Sequence, residues 1–162
     1  NPPVHLDREE EKVFLYSLPG GGDADCHEFT DAVATLKTSL AATLAVYLPL
    51  AGKLAYDAGT GDVVVDCAAA DDLGVAFVEA ESDAADKTTF DVRHLADDEA
   101  HDIPAFLALV PDLPTKVLPA PVLSVQATRL PRGGGGASRW GSPFGIRSPS
   151  VGSWAKWPCR GA

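Results

Sequence analysis

The chain lacks methionine, long apolar runs and any pair of cysteines at CxxC spacing. The missing methionine leads us to expect that the start of the protein is absent or trimmed. Without a run of about 18 apolar residues, no transmembrane helix and no membrane partner are expected. The opening stretch, NPPVHLDREEEK, is polar and acidic, unlike a secretory signal. The three cysteines, Cys26, Cys67 and Cys159, are odd in number and far apart. That argues against a disulfide scaffold or a structural zinc site. Three free thiols suit a reducing cytosol, so a cytoplasmic location is expected, with Cys67 as a small buried apolar residue. Acids are absent from the last 32 residues, which hold five bases: Arg132, Arg139, Arg147, Lys156 and Arg160.

Charge is therefore split. All 23 acids and eight of the 13 bases lie in residues 1–130, for a formal charge of −15, against +5 for residues 131–162. The acidic part repels nucleic acid and anionic membrane, so no nucleic-acid partner is expected. With 46% hydrophobic and 22% charged residues, the composition is that of a globular domain or part of one.

Val13 to Leu18 is a short apolar run ending at Pro19-Gly20-Gly21-Gly22, which reads as a strand and a loop. Asp23 and Asp25 then precede Phe29, Val33, Leu36, Leu40, Leu44 and Tyr47, spaced by three or four. This pattern predicts one amphipathic helix of about five turns, closed by Pro49. Lys53–Tyr56 and Val63–Cys67 flank a segment rich in Asp and Gly, which predicts a hairpin. Val75–Ala80 reads as a strand, residues 81–102 as an acidic solvated face, and 103–110 as a short helix stopped by Pro111. Leu118-Pro119-Ala120-Pro121 reads as a stiff link into the strand Val122–Leu130, in which Leu123, Val125 and Ala127 suit a core. The order β-α-β-β-β-α-β predicts an α/β class, with a mixed sheet flanked by helices. Residues 131–162 contain all three tryptophans, eight of the 15 glycines and no leucine, with no period of 2 or 3.6. Such a tail buries too little apolar surface to offset its ordering entropy and is expected to be disordered.

Val46-Tyr47-Leu48-Pro49-Leu50-Ala51-Gly52-Lys53-Leu54 resembles the "YPLAGRL" stretch of plant BAHD acyltransferases, which use acyl-CoA. Neighbouring segments agree in order. Val13–Tyr16 resembles the family's "RLFFY" strand, and Phe29–Leu44 its "F..TVAALKSSLAATL" helix. Gly61–Cys67 resembles its second hairpin strand, and Leu118–Leu130 its "VLPAPVLAVQATRL" strand. The branch most similar acylates anthocyanin and other phenolic glucosides, often with malonyl-CoA. The resemblance implies part of the N-terminal domain of a two-domain fold, with a channel between the domains for the CoA thioester and the acceptor. It divides the chain into a polar segment (1–12), a partial acyltransferase domain (13–130) and a tail (131–162). It also implies acyl-CoA as co-substrate, with no bound cofactor, and a phenolic or glycosylated acceptor.

In the family, HHxxxDG follows one strand after the one that Val122–Leu130 resembles. Its second histidine is the general base on the acceptor hydroxyl, and a later DFGWG motif shapes the fold. Neither motif occurs in these 162 residues. After Leu130 the family reads roughly "GGGVALGLTVHHAVADG", whereas this chain reads Pro131-Arg132 and then Gly133–Gly136, a run that fits the expected loop and after which the likeness ends. The tail's bias to Arg, Gly, Ser, Pro, Ala and Trp is that of GC-rich coding sequence read out of frame, or of an intron read as exon. The expectation is a truncated fragment without turnover, or a partner that pairs with a full-length relative.

Two HxxxD strings occur, His27–Asp31 and His94–Asp98. Short strings arise by chance in an Asp-rich chain, and neither follows the right strand or precedes the family's glycine, so both read as surface side chains. His5, His101 and Asp102 read as solvated, with no metal-ligand spacing. Gly133–Gly136 lacks the GK[ST] ending of a phosphate loop. Trp140, Trp154 and Trp157 among bases could imitate a single-strand nucleic-acid binder, but a shifted frame gives the same composition. No residue is therefore assigned a catalytic, cofactor-binding or metal role.

Overall fold

Among the described residues, backbone pairing divides the strands between two four-stranded sheets. A computed structural model describes residues 9–15, 24–68, 73–81, 103–114, 117–129, 143–149 and 159–160. The strands are β1 (Glu9–Leu15), β2 (Lys53–Asp57), β3 (Asp62–Asp66), β4 (Ala76–Glu81), β5 (Ala120–Pro121), β6 (Ser124–Arg129), β7 (Pro143–Pro149) and β8 (Cys159–Arg160). The helices are α1 (Ala24–Val46) and α2 (Ile103–Leu107), with a 3-10 turn at Leu48–Ala51. The first sheet runs β1-β7-β6-β4 and the second β5-β2-β3-β8. Each mixes parallel and antiparallel pairs, as the α/β expectation requires, but one sheet was expected and there are two.

The second sheet grows from the hairpin. Lys53 pairs with Asp66 and Asp57 with Asp62, and the amide of Gly61, at φ +79°, donates to the Asp57 carbonyl at 2.8 Å. Glycine takes this left-handed conformation without steric cost, so the turn forms where the sequence is richest in Gly and Asp. Leu54, Val65, Cys67, Ala120 and Val122 form a buried cluster, flanked by Leu48, Leu50, Val63, Leu73 and Leu118. Burying a Leu or Val side chain contributes about 1.5–3 kcal/mol. Leu118–Pro121, expected as a link only, contributes β5, with Ala120 opposite Leu54. Cys67 is buried as expected, but it is disulfide-bonded, which corrects the expectation of three free thiols.

Gly52 explains the close packing of the Leu-Ala-Gly turn. A Cβ there would lie 2.7 Å from Val65 Cγ1, 2.9 Å from the Asp66 carbonyl oxygen and 3.1 Å from Cys67 Sγ. Only glycine admits this approach without displacing the β3 backbone.

In the first sheet, α1 packs its Phe29 and Val33 against Ala127 of β6, with Phe77 of β4 alongside. Its exposed face also reaches β4, where Lys37 pairs with Glu79 and lies 5.1 Å from the centre of the Phe77 ring. β6 runs parallel to β4 and antiparallel to β7. Although the tail was expected to be disordered, Pro143–Pro149 and Cys159–Arg160 are strands. β7 pairs antiparallel with β1 over its whole length, from Glu9↔Pro149 to Leu15↔Pro143. A backbone ladder asks little of side-chain periodicity, so the tail's lack of an apolar pattern does not bar it from filling the gap between β1 and β6. β1 likewise begins at Glu9, inside the segment expected to be polar, where Glu11 stands opposite Arg147 of β7.

Candidate functional site

The two faces of the β1-β7-β6-β4 sheet differ in chemistry. β6 places Val125 and Ala127 on one face and Ser124, Gln126 and Thr128 on the other, and all five are buried. Alternation along a strand fixes this division. On the polar face, Gln126 Nε2 donates to the Ala108 carbonyl at 3.0 Å and to Thr128 Oγ1 at 2.9 Å. The segment after α2 therefore lies over this face, and Leu109, Val110 and Pro111 are buried beneath it. Ser124 Oγ donates to the Ala76 carbonyl at 3.5 Å. Buried polar groups need such partners, so these bonds hold the segment in place.

Arg147 of β7 stands opposite both Ser124 and Glu11, and so belongs to the polar face. Its Nε donates to Glu11 Oε1 at 3.0 Å, its Nη2 reaches the same oxygen, and its Nη1 lies 3.9 Å from the exposed carboxylate of Asp112. The side chains of Arg147 and Glu11 are only 15% and 24% exposed, which shields the pair from solvent screening. A guanidinium donates hydrogen bonds only and keeps its proton, so it cannot serve as a general base. This cluster joins β1, β7 and the segment after α2; it does not join a nucleophile to a base.

The residues singled out from the sequence lie elsewhere. His27 and Asp31 are both exposed on α1, while Phe29 between them points inward. Glu28, in the same string, has Oε2 shut off from solvent with no hydrogen-bond partner among the described residues. His5, His94, Asp98, His101 and Asp102 lie outside the described residues. Among the described residues, no three His, Cys, Asp or Glu side chains gather in a way that could hold a metal ion, and no helix is long and apolar enough to cross a membrane.

Among the described residues, β7 is the next strand after β6 and pairs with it. β7 ends in Arg147-Ser148-Pro149, and no histidine follows His101 anywhere in the sequence.

Reading the sequence missed the Arg147–Glu11 pair and the buried Gln126. The signal for Gln126 was the polar alternation Ser124, Gln126, Thr128, which also suits a solvated face. The signal for the ion pair was only the opposite sign of Glu9–Glu11 and the tail.

The sequence matches the model of the Transferase family over residues 24–137. It is 38% identical over 126 residues to a protein of Arabidopsis thaliana, malonyl-CoA:anthocyanidin 5-O-glucoside-6''-O-malonyltransferase, covering 76% of this chain and 25% of that protein. It is 34% identical over 106 residues to benzyl alcohol O-benzoyltransferase of Nicotiana tabacum, covering 64% of this chain and 21% of the relative. It is 35% identical over 110 residues to 13-hydroxylupanine O-tigloyltransferase of Lupinus albus, covering 66% and 22%. The chain thus spans a quarter or less of the length of these relatives. β7 and β8 lie beyond the stretch matched by the family model.

Proposed function

The chain belongs to the BAHD-type transferase family, and from that premise we propose that it is part of the N-terminal half of an acyl-CoA-dependent acyltransferase, and that these 162 residues alone do not turn over. The parent reaction moves an acyl group (malonyl, acetyl or hydroxycinnamoyl) from CoA to a hydroxyl of a phenolic or glycosylated acceptor. The likeness to a malonyltransferase of an anthocyanidin glucoside favours a malonyl donor and a glucosylated acceptor. The relatives named for benzoyl and tigloyl transfer show that donors differ across the family. In the parent, a histidine takes the acceptor's proton, the alkoxide attacks the thioester carbonyl, and the CoA thiolate leaves. A cytoplasmic location belongs to the same reading, and the Cys67 disulfide removes the free-thiol argument for it.

The observation that supports the absence of turnover is the end of β7. Arg147, Ser148 and Pro149 stand there, Arg147 is committed to Glu11, and no histidine comes after them. The test is CoA release from malonyl-, acetyl- and coumaroyl-CoA, with and without a phenolic glucoside. No acceptor-dependent release is expected. Release that disappears on His27→Ala or His94→Ala would overturn the proposal.

A second reading is favoured by exposed apolar side chains. Val46, Tyr47, Ile103 and Val117 are 76%, 61%, 67% and 76% exposed. Large apolar groups left in water favour a partner, and a full-length relative is the partner that this reading names. Co-purification with a full-length acyltransferase supports it; a strictly monomeric chain in the presence of that relative contradicts it.

A further inference from the structure

We infer that β7 is a strap for the N-terminal strand: β1 joins its sheet only where β7 has already joined it. Among the described residues, β1 pairs with β7 alone, from Glu9↔Pro149 to Leu15↔Pro143. β7 has a second anchorage, because it also pairs with β6 from Ser124↔Arg147 to Ala127↔Phe144. Side chains add little to the hold on β1. Among the described residues, neither buried cluster includes one of its side chains, and Phe14 is 44% exposed. The ion pair that β1 does make, Glu11 with Arg147, again runs to β7.

Residues 16–142 separate the two strands in sequence, so no tight turn brings them together, and closing so long a loop costs entropy. β6 supplies the placement instead. It sets β7 against the domain, and β7 then offers β1 a fixed edge of free N–H and C=O groups. The dependence is one-way. Loss of β7 takes away the whole β1 ladder, whereas loss of β1 leaves β7 its ladder to β6. The opening free energy of β1 therefore cannot exceed that of β7. The two ends of the described chain, though far apart in sequence, are ordered in sequence of dependence: β6 holds β7, and β7 holds β1.

The test is native-state amide exchange of the whole 162-residue chain. In the wild type, the β1 amides should be no better protected than the β7 amides that bond to β6. Ile146→Pro breaks β7 opposite both Lys12 and Val125, because proline cannot donate to a ladder. It should free the β1 amides to exchange as in an unfolded peptide, along with those of β7, while the β2–β3 hairpin stays protected. Val13→Pro breaks β1 opposite Gly145. It should free β1 alone and leave protected the β7 amides that bond to β6. A β1 that keeps its protection in Ile146→Pro would overturn the strap, as would a β7 lost from β6 in Val13→Pro. So would wild-type β1 amides better protected than those of β7, a readout that stands even if a variant fails to fold.

Discussion

In the β5-β2-β3-β8 sheet, Leu54, Val65, Ala120 and Val122 are shut off from solvent and touch one another. In the β1-β7-β6-β4 sheet, β7 is tied in by main-chain ladders on both sides and by the Arg147–Glu11 pair. The hairpin sheet is specified by side-chain volume, whereas β7 enters the other sheet through backbone pairing and a charge contact. Volume packing tolerates few sequences, whereas a ladder accepts almost any residue that can stay extended. A segment that breaks the family pattern can therefore fill the centre of the β1-β7-β6-β4 sheet, whereas among the described residues the tail adds to the hairpin sheet the two-residue edge strand β8.

The comparison predicts a graded series of substitutions. Leu54→Ala removes a fully buried side chain from the hairpin cluster and should cost about 2–5 kcal/mol in urea unfolding. A cost below about 1 kcal/mol would mean that side-chain packing does not hold that sheet. Gly52→Ala should cost about 1–3 kcal/mol, because its Cβ meets the Asp66 carbonyl and Val65. Arg147→Met keeps the apolar stem but leaves Glu11 unpaired in a shielded place, and should cost about 1–2 kcal/mol. Adding Glu11→Gln should recover part of that loss, since it removes the stranded charge; no recovery in the double variant would show that the pair is not coupled. Lys37→Ala disrupts an ion pair that is about half exposed on both sides, and should change stability by less than about 1 kcal/mol. A larger loss would assign the α1–β4 contact more weight than the core beneath it.

What could be read from the sequence follows the same division. The helix pattern from Phe29 to Tyr47 became α1, and the Asp and Gly cluster between Tyr56 and Val63 became the hairpin turn, because both signals are local. The strand Val122–Leu130 was legible as a strand, but its second buried face was not, because Ser124, Gln126 and Thr128 are polar and their partners lie far away in sequence. β7 left no trace, since Pro143-Phe144-Gly145-Ile146-Arg147-Ser148-Pro149 alternates weakly and is bounded by prolines. Its pairing with β1 spans nearly the whole chain, a separation that no local pattern reports. At the candidate site, the lack of a histidine after β6 was legible. The Arg147–Glu11 contact in that region was not, because it required knowing that the two segments are neighbours.

The central claim is that a strand from outside the family-matched stretch lies between β1 and β6. Amide hydrogen exchange of residues 144–148 tests it most directly. Slow exchange, close to that of β6 and lost together with it on unfolding, is the expected result. Exchange at the rate of a free peptide over residues 144–148, while β6 stays protected, would contradict the claim.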